Sequence, residues 1–552
     1  MKRISIGIFF LSIILLFSII FVSCDNVNTS TDASTPIEDS NNSTTVSETL
    51  DVPHATAFTV SNVFASDMVL QRNEYIRVWG YADDSQNGRK VSGEFMGMFA
   101  EAMIENGEWV ITFETCLDAS AELGNTMKIY ADGVSYEFEN VLVGDVYMVM
   151  GQSNCAYSVA AHHEYVTDTN KGGKDTLNYD APIRIHFNSQ DQVLGYPKWG
   201  TTEVCKEIRS GSTWQRADSY DDIKNFTAIG YFFAQNYLKL TENKVPIGLI
   251  EIDGTGRPLG AFMCNEVADE KGTDKFDETK GYYVTTGVNG DAGRYLYNNY
   301  MYPFERYAIA GVIWYQGESD MDAANVKVYA ENFSALMTYM RSTHNLVNKD
   351  FPVYYIEFPT IYKSPAGFVG LWQYMDVGVI RAAMGEIQRI LPNSHQVVST
   401  DLWSDASYPN NLHPNCKYEQ SERLSLLAAI VNGESEKKMT EAKGPVLVSI
   451  ELMEGNKKAI LTYENVGDGL KTTDGGNTVN GFSIYRKNGV INPNDNVTAT
   501  ITAKNQITVE STKVIKGIAY NAKTTNVYGV DINLCNSFGI PAGATVMLSP
   551  EN

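Results

Sequence analysis

Between Ala57 and Asn140 the apolar positions fall in short alternating runs: Met68-Val69-Leu70, Ile76-Arg77-Val78-Trp79-Gly80, Trp109-Val110-Ile111-Thr112-Phe113, Met127-Lys128-Ile129-Tyr130 and Tyr136-Glu137-Phe138. Turn residues such as Asn106-Gly107 and Asp132-Gly133 separate them, so residues 53–140 read as a small N-terminal β-sandwich domain. At Gly144 the period changes. Phe226, Ile229, Phe232, Phe233, Tyr237, Leu238 and Leu240 fall at helical spacing, and the unbroken run Ile247-Gly248-Leu249-Ile250-Glu251-Ile252 follows as a buried strand. Ile309 to Tyr315 and Val353 to Phe358 repeat the strand pattern, while Leu424, Leu427, Ala428 and Val431 repeat the helical one after Pro414. This alternation predicts an α/β domain over residues 141–440, a parallel sheet flanked by helices. After Ala442 short strands return at Val446–Ile450, Ala459–Tyr463, Phe482–Tyr485 and Ile507–Val509, which predicts a C-terminal β-sandwich-like domain over residues 441–552.

The first residues carry a different signal. Met1-Lys2-Arg3 supplies positive charge, Ile4 to Val22 is continuously apolar, and Ser23-Cys24 follows, so residues 1–24 read as a lipoprotein signal peptide with Cys24 the site of lipidation. The competing reading is a plain transmembrane anchor, since about twenty apolar residues span a bilayer. Either way the body is expected outside the cytoplasm, at a bacterial cell surface or in a periplasm, held to a membrane. Residues 25–52 are rich in Ser, Thr, Asn and Asp and cannot offset their chain entropy by burial, so they read as a disordered tether.

Composition narrows the partners. Of 552 residues, 43 are Lys or Arg and 66 are Asp or Glu, a formal charge of −23, which disfavours a surface that tracks phosphates; no nucleic acid partner is expected. The cysteines after Cys24 are scattered, with no C-x-x-C pair, so no zinc site is read and no disulfide connectivity can be deduced.

Candidate chemistry centres on Val146-Tyr147-Met148-Val149-Met150-Gly151-Gln152-Ser153-Asn154, an apolar strand delivering a small-residue turn with one hydroxyl. A serine in a turn is commonly only a helix cap. Two other segments supply polar groups able to converge on it: Gly311-Val312-Ile313-Trp314-Tyr315-Gln316-Gly317-Glu318-Ser319 and Asn411-Leu412-His413-Pro414. In an α/β sheet such groups gather at the carboxyl ends of strands. Ser153 would attack as nucleophile and His413 would move its proton. His162-His163-Glu164 lacks the spacing of a zinc helix, and Gly172-Gly173-Lys174-Asp175 lacks the Ser/Thr of a phosphate-binding loop, so both read as loop residues.

Gly151-Gln152-Ser153-Asn154, Trp314-Tyr315-Gln316-Gly317-Glu318-Ser319 and Leu412-His413-Pro414 resemble, in order and spacing, the motif blocks of the sialate O-acetylesterase family of the SGNH (GDSL-like) hydrolase superfamily. The similarity extends to Phe64–Arg72, Val141–Val146, Ala228–Ala234 and Asn536–Ala542. It implies an SGNH-type sheet and a carbohydrate O-acetylesterase, a serine carboxylic-ester hydrolase working through an acyl-serine intermediate, with a sialate 9-O-acetyl group as substrate. It also implies Ser153 as nucleophile, His413 as base, and Gly254 and Gln316 as oxyanion-hole donors beside the Ser153 N–H. Neither metal nor organic cofactor is implied, and the partners are an O-acetylated sugar or polysaccharide and a membrane, with no obligate protein partner.

Departures from the family bear on the site. Where the superfamily carries an aspartate shortly before the histidine, this chain has Asn410 and Asn411; Asp401 is the favoured substitute, with Asp405, Asn410 or a Ser-His dyad as alternatives. Cys155 replaces the family's Met and reads as packing. Arg257 could meet a substrate carboxylate or form a surface ion pair, Tyr157 could stack on a sugar or sit in the core, and Asn154 and Glu318 are further candidate substrate contacts, Glu318 alternatively orienting Gln316. Two rival readings stand beside the sialate esterase. One is an acetyl xylan esterase or other polysaccharide deacetylase, because fold does not fix substrate; the other is a non-catalytic carbohydrate-binding surface lipoprotein, motivated by the missing aspartate.

Overall fold

Period-two alternation in the N-terminal region produces eight strands: β1 (Thr59–Val60), β2 (Val69–Gln71), β3 (Ile76–Tyr81), β4 (Lys90–Phe95), β5 (Met98–Met103), β6 (Glu108–Phe113), β7 (Met127–Ala131) and β8 (Val134–Phe138). The computed structural model describes residues 52–549 except 188–202, 209–211, 243, 272–275, 278–281, 284–293, 322–327, 345–346, 348, 360–376, 403–412, 454, 486–490, 493–496 and 524–528. Cys24, the tether, Asp405, Asn410 and Asn411 therefore lie outside the described residues. Two antiparallel sheets form, ordered β1-β3-β6 and β5-β4-β7-β8. In β6, Trp109, Ile111 and Phe113 are buried while Val110 between them is exposed, as alternation requires. Asn106 and Gly107 both have positive φ (+53° and +75°), the conformation that favours this pair in tight turns.

β2 leaves this region. It pairs in parallel with the start of β9 (Leu142–Gly151), Val69 opposite Leu142 and Gln71 opposite Gly144. The reason is length: β9 has ten residues, and its ladder with the neighbouring strand on that side starts only at Asp145. The earlier part of β9 would otherwise expose unpaired backbone, which β2 covers.

The α/β region continues with α1 (Val159–Tyr165), β10 (Ile183–Phe187), β11 (Trp214–Arg216), α2 (Tyr220–Ile223), α3 (Ala228–Leu240), β12 (Ile247–Asp253), α4 (Asn265–Lys271), two-residue strands β13 (Phe276–Asp277) and β14 (Tyr282–Tyr283), β15 (Gly311–Tyr315), α5 (Tyr329–Thr343), β16 (Val353–Ile356), α6 (Val377–Ile390), β17 (Ser394–Val397), α7 (Lys417–Val431) and α8 (Met439–Ala442). The central sheet runs β11-β10-β12-β9-β15-β16-β17, parallel throughout except for β11. β9, β12, β15 and β16 are buried along their whole length, as a sheet covered on both faces requires. α7 lies on α3, where Ser421 and Ser425 donate to the carbonyls of Ile229 and Phe233, each at 3.0 Å. The expected α/β class with flanking antiparallel sheets is what the chain adopts.

The last region has a core of its own, including Leu461, Ile484, Ile507, Val509, Ile518 and Leu534, all fully buried. Val446–Met453, Lys458–Glu464, Gln506–Ser511 and Val497–Ala503 form one antiparallel sheet; Ile491–Asn492, Phe482–Tyr485, Gly517–Tyr520 and Thr545–Leu548 form another. Asn536, in the segment singled out from sequence, donates to the carbonyls of Thr440 (2.7 Å) and Lys443 (3.1 Å), which ties this region to the end of the α/β region. Among the described residues no helix is long and apolar enough to cross a membrane.

Candidate active site

β9 is the middle strand where chain order switches direction, and ligands of such sheets bind outside the carboxyl ends at that point. Gly151, the last residue of β9, pairs in register with Asp253 on β12 and with Tyr315 on β15. The next residues on the three strands, Gln152-Ser153, Gly254 and Gln316, therefore emerge at one level. Gly151 is required there: a Cβ would lie 2.1 Å from the Tyr315 carbonyl oxygen. The chain then turns tightly, with the Cys155 and Ala156 N–H groups both donating to the Gln152 carbonyl (2.8 and 2.9 Å), and Ser153 is left half-buried at the turn. No described residue accepts from the Ser153 N–H.

The two other donors expected for the oxyanion hole are otherwise engaged. The Gly254 N–H donates to the Gly151 carbonyl at 3.0 Å. The fully buried Gln316 amide donates to Asp320 Oδ2 (2.6 Å), Gln152 Oε1 (3.1 Å) and the Arg257 carbonyl (3.2 Å), and its oxygen accepts from the Tyr329 hydroxyl at 3.1 Å. Gln316 thus holds the turn from beneath. Gln152 is the centre of that support: Oε1 also accepts from the N–H groups of Gly317 (3.4 Å) and Ser319 (3.1 Å), and Nε2 donates to Ser319 Oγ at 3.2 Å.

His413 lies four residues before the first residue of α7, and its ring is stacked on Tyr157 with centroids 6.5 Å apart and planes 25° apart. Tyr157, 9% exposed, gives its hydroxyl to the Ala161 carbonyl. The tyrosine supports the base, and its burial removes it as a sugar-stacking face. Burial, and secondarily the Lys417 charge, lower the His413 pKa to about 4, so the imidazole is neutral and able to accept a proton at neutral pH.

A buried polar chain runs beneath both residues. Lys417, fully buried at the start of α7, donates from Nζ to Asn154 Oδ1 (2.7 Å) and to the Pro414 carbonyl (2.9 Å), and lies 5.0 and 4.9 Å from the ring centroids of Tyr157 and Tyr315. The Asn154 amide in turn donates to Glu318 Oε1 in a short contact. Asn154 and Glu318 are each 1% exposed, so neither offers the surface that a substrate contact needs. Burial raises Glu318 to about 7, against the Asn154 hydrogen bond and the Lys417 charge; burial lowers Lys417 to about 8, against Cys416, Glu318 and Cys155. Cys155 is fully buried, its thiol pushed well up by burial, in keeping with a packing role.

Asp401 does not take the triad position. Arg423 of α7 grips both of its oxygens, Nη1 to Oδ1 at 2.7 Å and Nη2 to Oδ2 at 2.5 Å, while Nη1 also donates to the Val398 carbonyl at 2.7 Å. Arg257 is partly exposed in the loop after β12, and its carbonyl accepts from Gln316 Nε2. Among the described residues no group of His, Cys, Asp and Glu has the arrangement of a metal site, and the described cysteines after Cys24 are all free thiols.

Lys417, Gln152, Asp320 and Tyr329 are the residues that sequence reasoning missed. Lys417 carried one signal: a cation in the first turn of a helix opposes the helix dipole, an arrangement that needs a local reason.

The family model described as carbohydrate esterase, sialic acid-specific acetylesterase, matches residues 143–417, which run from β9 to Lys417. The chain is similar to the sialate O-acetylesterases of Homo sapiens, 24% identical over 431 residues and covering 74% of this chain and 76% of that protein, and of Mus musculus, 27% identical over 367 residues and covering 59% and 63%. Among solved structures, a carbohydrate acetylesterase from Xanthomonas citri superposes with a TM-score of 0.68 at 23% identity, over 89% of this chain and 99% of that one, which extends the likeness of fold to the flanking antiparallel sheets.

Proposed function

Through residues 143–417 this chain belongs to the carbohydrate esterase family of sialic acid-specific acetylesterases, and from that premise we propose that it removes the 9-O-acetyl group of sialic acids by way of Ser153 and His413. It is a carbohydrate O-acetylesterase, a carboxylic-ester hydrolase; the particular ester and the residue roles are the proposal. The observation that carries it is the level emergence of Ser153, Gly254 and Gln316 from three adjacent strands, with a neutral His413 in the loop that Lys417 ties to the same turn.

Ser153 Oγ attacks the acetyl carbonyl carbon while His413 takes its proton. The oxyanion forms against the Ser153 N–H, and collapse expels the sugar oxygen, which receives the proton from the imidazole. Water, deprotonated by His413, then attacks the acetyl-serine and releases acetate. Partly exposed in the loop after β12, Arg257 is the guanidinium proposed to meet the carboxylate of a sialic acid.

The test is acetate release from an aryl acetate, from 9-O-acetylated sialic acid and from acetylated xylan by wild type and Ser153→Ala. Ser153-dependent release from the sialic acid ahead of xylan is expected. Preference for xylan would make the protein a polysaccharide deacetylase, and release that survives Ser153→Ala would refute the nucleophile. We further propose lipid anchoring at Cys24 and export, supported by the charged, apolar and Ser23-Cys24 sequence of the leader; Cys24→Ala should release the protein from membranes, and unchanged membrane retention would refute the anchor.

A further inference from the structure

The nucleophile and the base belong to distant parts of the chain, yet one side chain connects them. Lys417 Nζ bonds the Asn154 side chain, adjacent to Ser153, and the Pro414 carbonyl, adjacent to His413. Both bonds are made by a fully buried cation, and Asp401, the carboxylate expected to orient His413, is gripped by Arg423. We infer that Lys417 is a positioning residue of this active site, a group that holds the base's loop against the nucleophile's turn. The inference rests on the reading of Ser153 and His413 as nucleophile and base.

The geometry has three supports. Asn154 relays the contact to Glu318, whose Oε1 accepts from the asparagine amide and whose Oε2 has no partner among the described residues, so the chain Lys417–Asn154–Glu318 ends in a buried acid. Tyr157 is shared: His413 stacks on its ring and Lys417 lies 5.0 Å from its centroid. Third, a buried ammonium is costly unless its donors are satisfied, and carbonyl oxygens of the two catalytic segments satisfy two of the three here. Among the described residues, the titratable and aromatic groups facing Lys417 include Glu318, Cys155, Cys416, Tyr157 and Tyr315, and those facing His413 include Tyr157 and Lys417. The Lys417 charge also favours the neutral imidazole, so its removal leaves His413 easier to protonate.

Lys417→Met removes both bonds and the charge while keeping a chain of similar length. Displacing a reacting group by about 1 Å costs on the order of 100-fold. The expected result is a folded variant with kcat toward an aryl acetate about 100-fold lower, KM within about twofold, and the acid limb of the kcat/KM profile moved to higher pH, because His413 loses a neighbouring cation. Lys417→Arg keeps the cation and should keep the limb at its wild-type position. A folded Lys417→Met with kcat within about threefold of wild type, or a loss of kcat with the limb unmoved, overturns the inference. Should that variant fail to fold, Lys417→Gln retains two N–H donors without the charge, and an unmoved limb in it is equally decisive. Ser153→Ala separates the two ideas: full activity in that variant removes the underlying reading, whereas an inactive Ser153→Ala beside a normal Lys417→Met removes only the role of Lys417.

Discussion

Asp401→Asn distinguishes most sharply between what the sequence suggests and what the structure shows. Asp401 is the nearest described upstream carboxylate to His413 in sequence, and as a triad member its loss would cost about 10⁴ in kcat, as in the chymotrypsin-type triad, or about 5.5 kcal/mol of transition-state stabilisation. In the structure its oxygens are held by Arg423 at 2.7 and 2.5 Å, with the two side chains 16% and 19% exposed. A pair so placed stands between the exposed case, about 0–1 kcal/mol, and the fully buried one, about 3–5 kcal/mol. Asparagine keeps one acceptor for Arg423, and the Val398 carbonyl keeps another. The expected loss is therefore about 2 kcal/mol of stability with kcat within about threefold of wild type. Urea unfolding and aryl acetate kinetics on the same preparation measure both, and the two hypotheses differ by more than three orders of magnitude in rate. A kcat loss of 1,000-fold or more at unchanged unfolding midpoint would show that Asp401 orients His413 after all.

Gln316→Met should lower stability by about 2 kcal/mol, because it removes one donor each from the buried Asp320 and Gln152 oxygens and leaves the Tyr329 hydroxyl without its Oε1 acceptor, and should leave kcat of the folded protein within about tenfold; a loss of 100- to 1,000-fold without destabilisation would restore the side chain as an oxyanion donor. Gly385→Ala places a Cβ 2.0 Å from the Ala544 carbonyl where α6 meets the C-terminal region, so a cost of about 1–3 kcal/mol and faster proteolysis of that region are expected at unchanged kcat, and wild-type resistance would sink the idea. Burial holds His162, His344, His395 and His413 at about 4 and His186 at about 3, below the ordinary value of about 6.5. Unfolding therefore takes up protons on these five as pH falls from about 6.5 to 4, and stability declines across that window. His163, also lowered by burial, adds to this side, while Glu318 and Glu357, raised to about 7, and Glu207, Glu305 and Glu422, raised by burial, act in the opposite direction, five carboxyls against six imidazoles. The thermal midpoint should fall between pH 6.5 and 5, and a midpoint that rises on acidification contradicts the assignment.

Much of this fold was legible because periodicity reports burial directly. The unbroken apolar run Ile247 to Ile252 becomes β12, Ile247–Asp253; α3 spans Ala228–Leu240, with six of the seven apolar positions at helical spacing around it buried and Leu240 exposed. β2 was legible as a strand but not in its pairing, because partner choice depended on the extra length of β9 and the open ladder that length creates. Ser153 and His413 were legible for another reason: small residues before a serine and a histidine before a helix are local features, and three blocks in fixed order constrain each other.

The supporting residues were hidden because their roles depend on burial and on which oxygen lies opposite, neither of which is a local property. Asp401 and Lys417 show this in opposite senses. Both are charged residues close to His413 in sequence; one was chosen for its charge, and the other would ordinarily be taken as a solvated lysine at a helix start. The structure exchanges them, because Arg423 comes one turn and a half into α7 to hold Asp401, while Lys417 begins that helix pointing into the sheet at Asn154. The same exchange turns Gln316 and Tyr157 from groups facing a substrate into groups holding Gln152 and His413. A motif thus identifies the residues that must be near the reacting atoms, whereas donor and acceptor geometry decides which of them touch those atoms and which hold the others in place. By that criterion Asn410 and Asn411, where the superfamily carries its aspartate, are no argument against catalysis here, since the loop of His413 has a buried tie to the nucleophile's turn through Lys417.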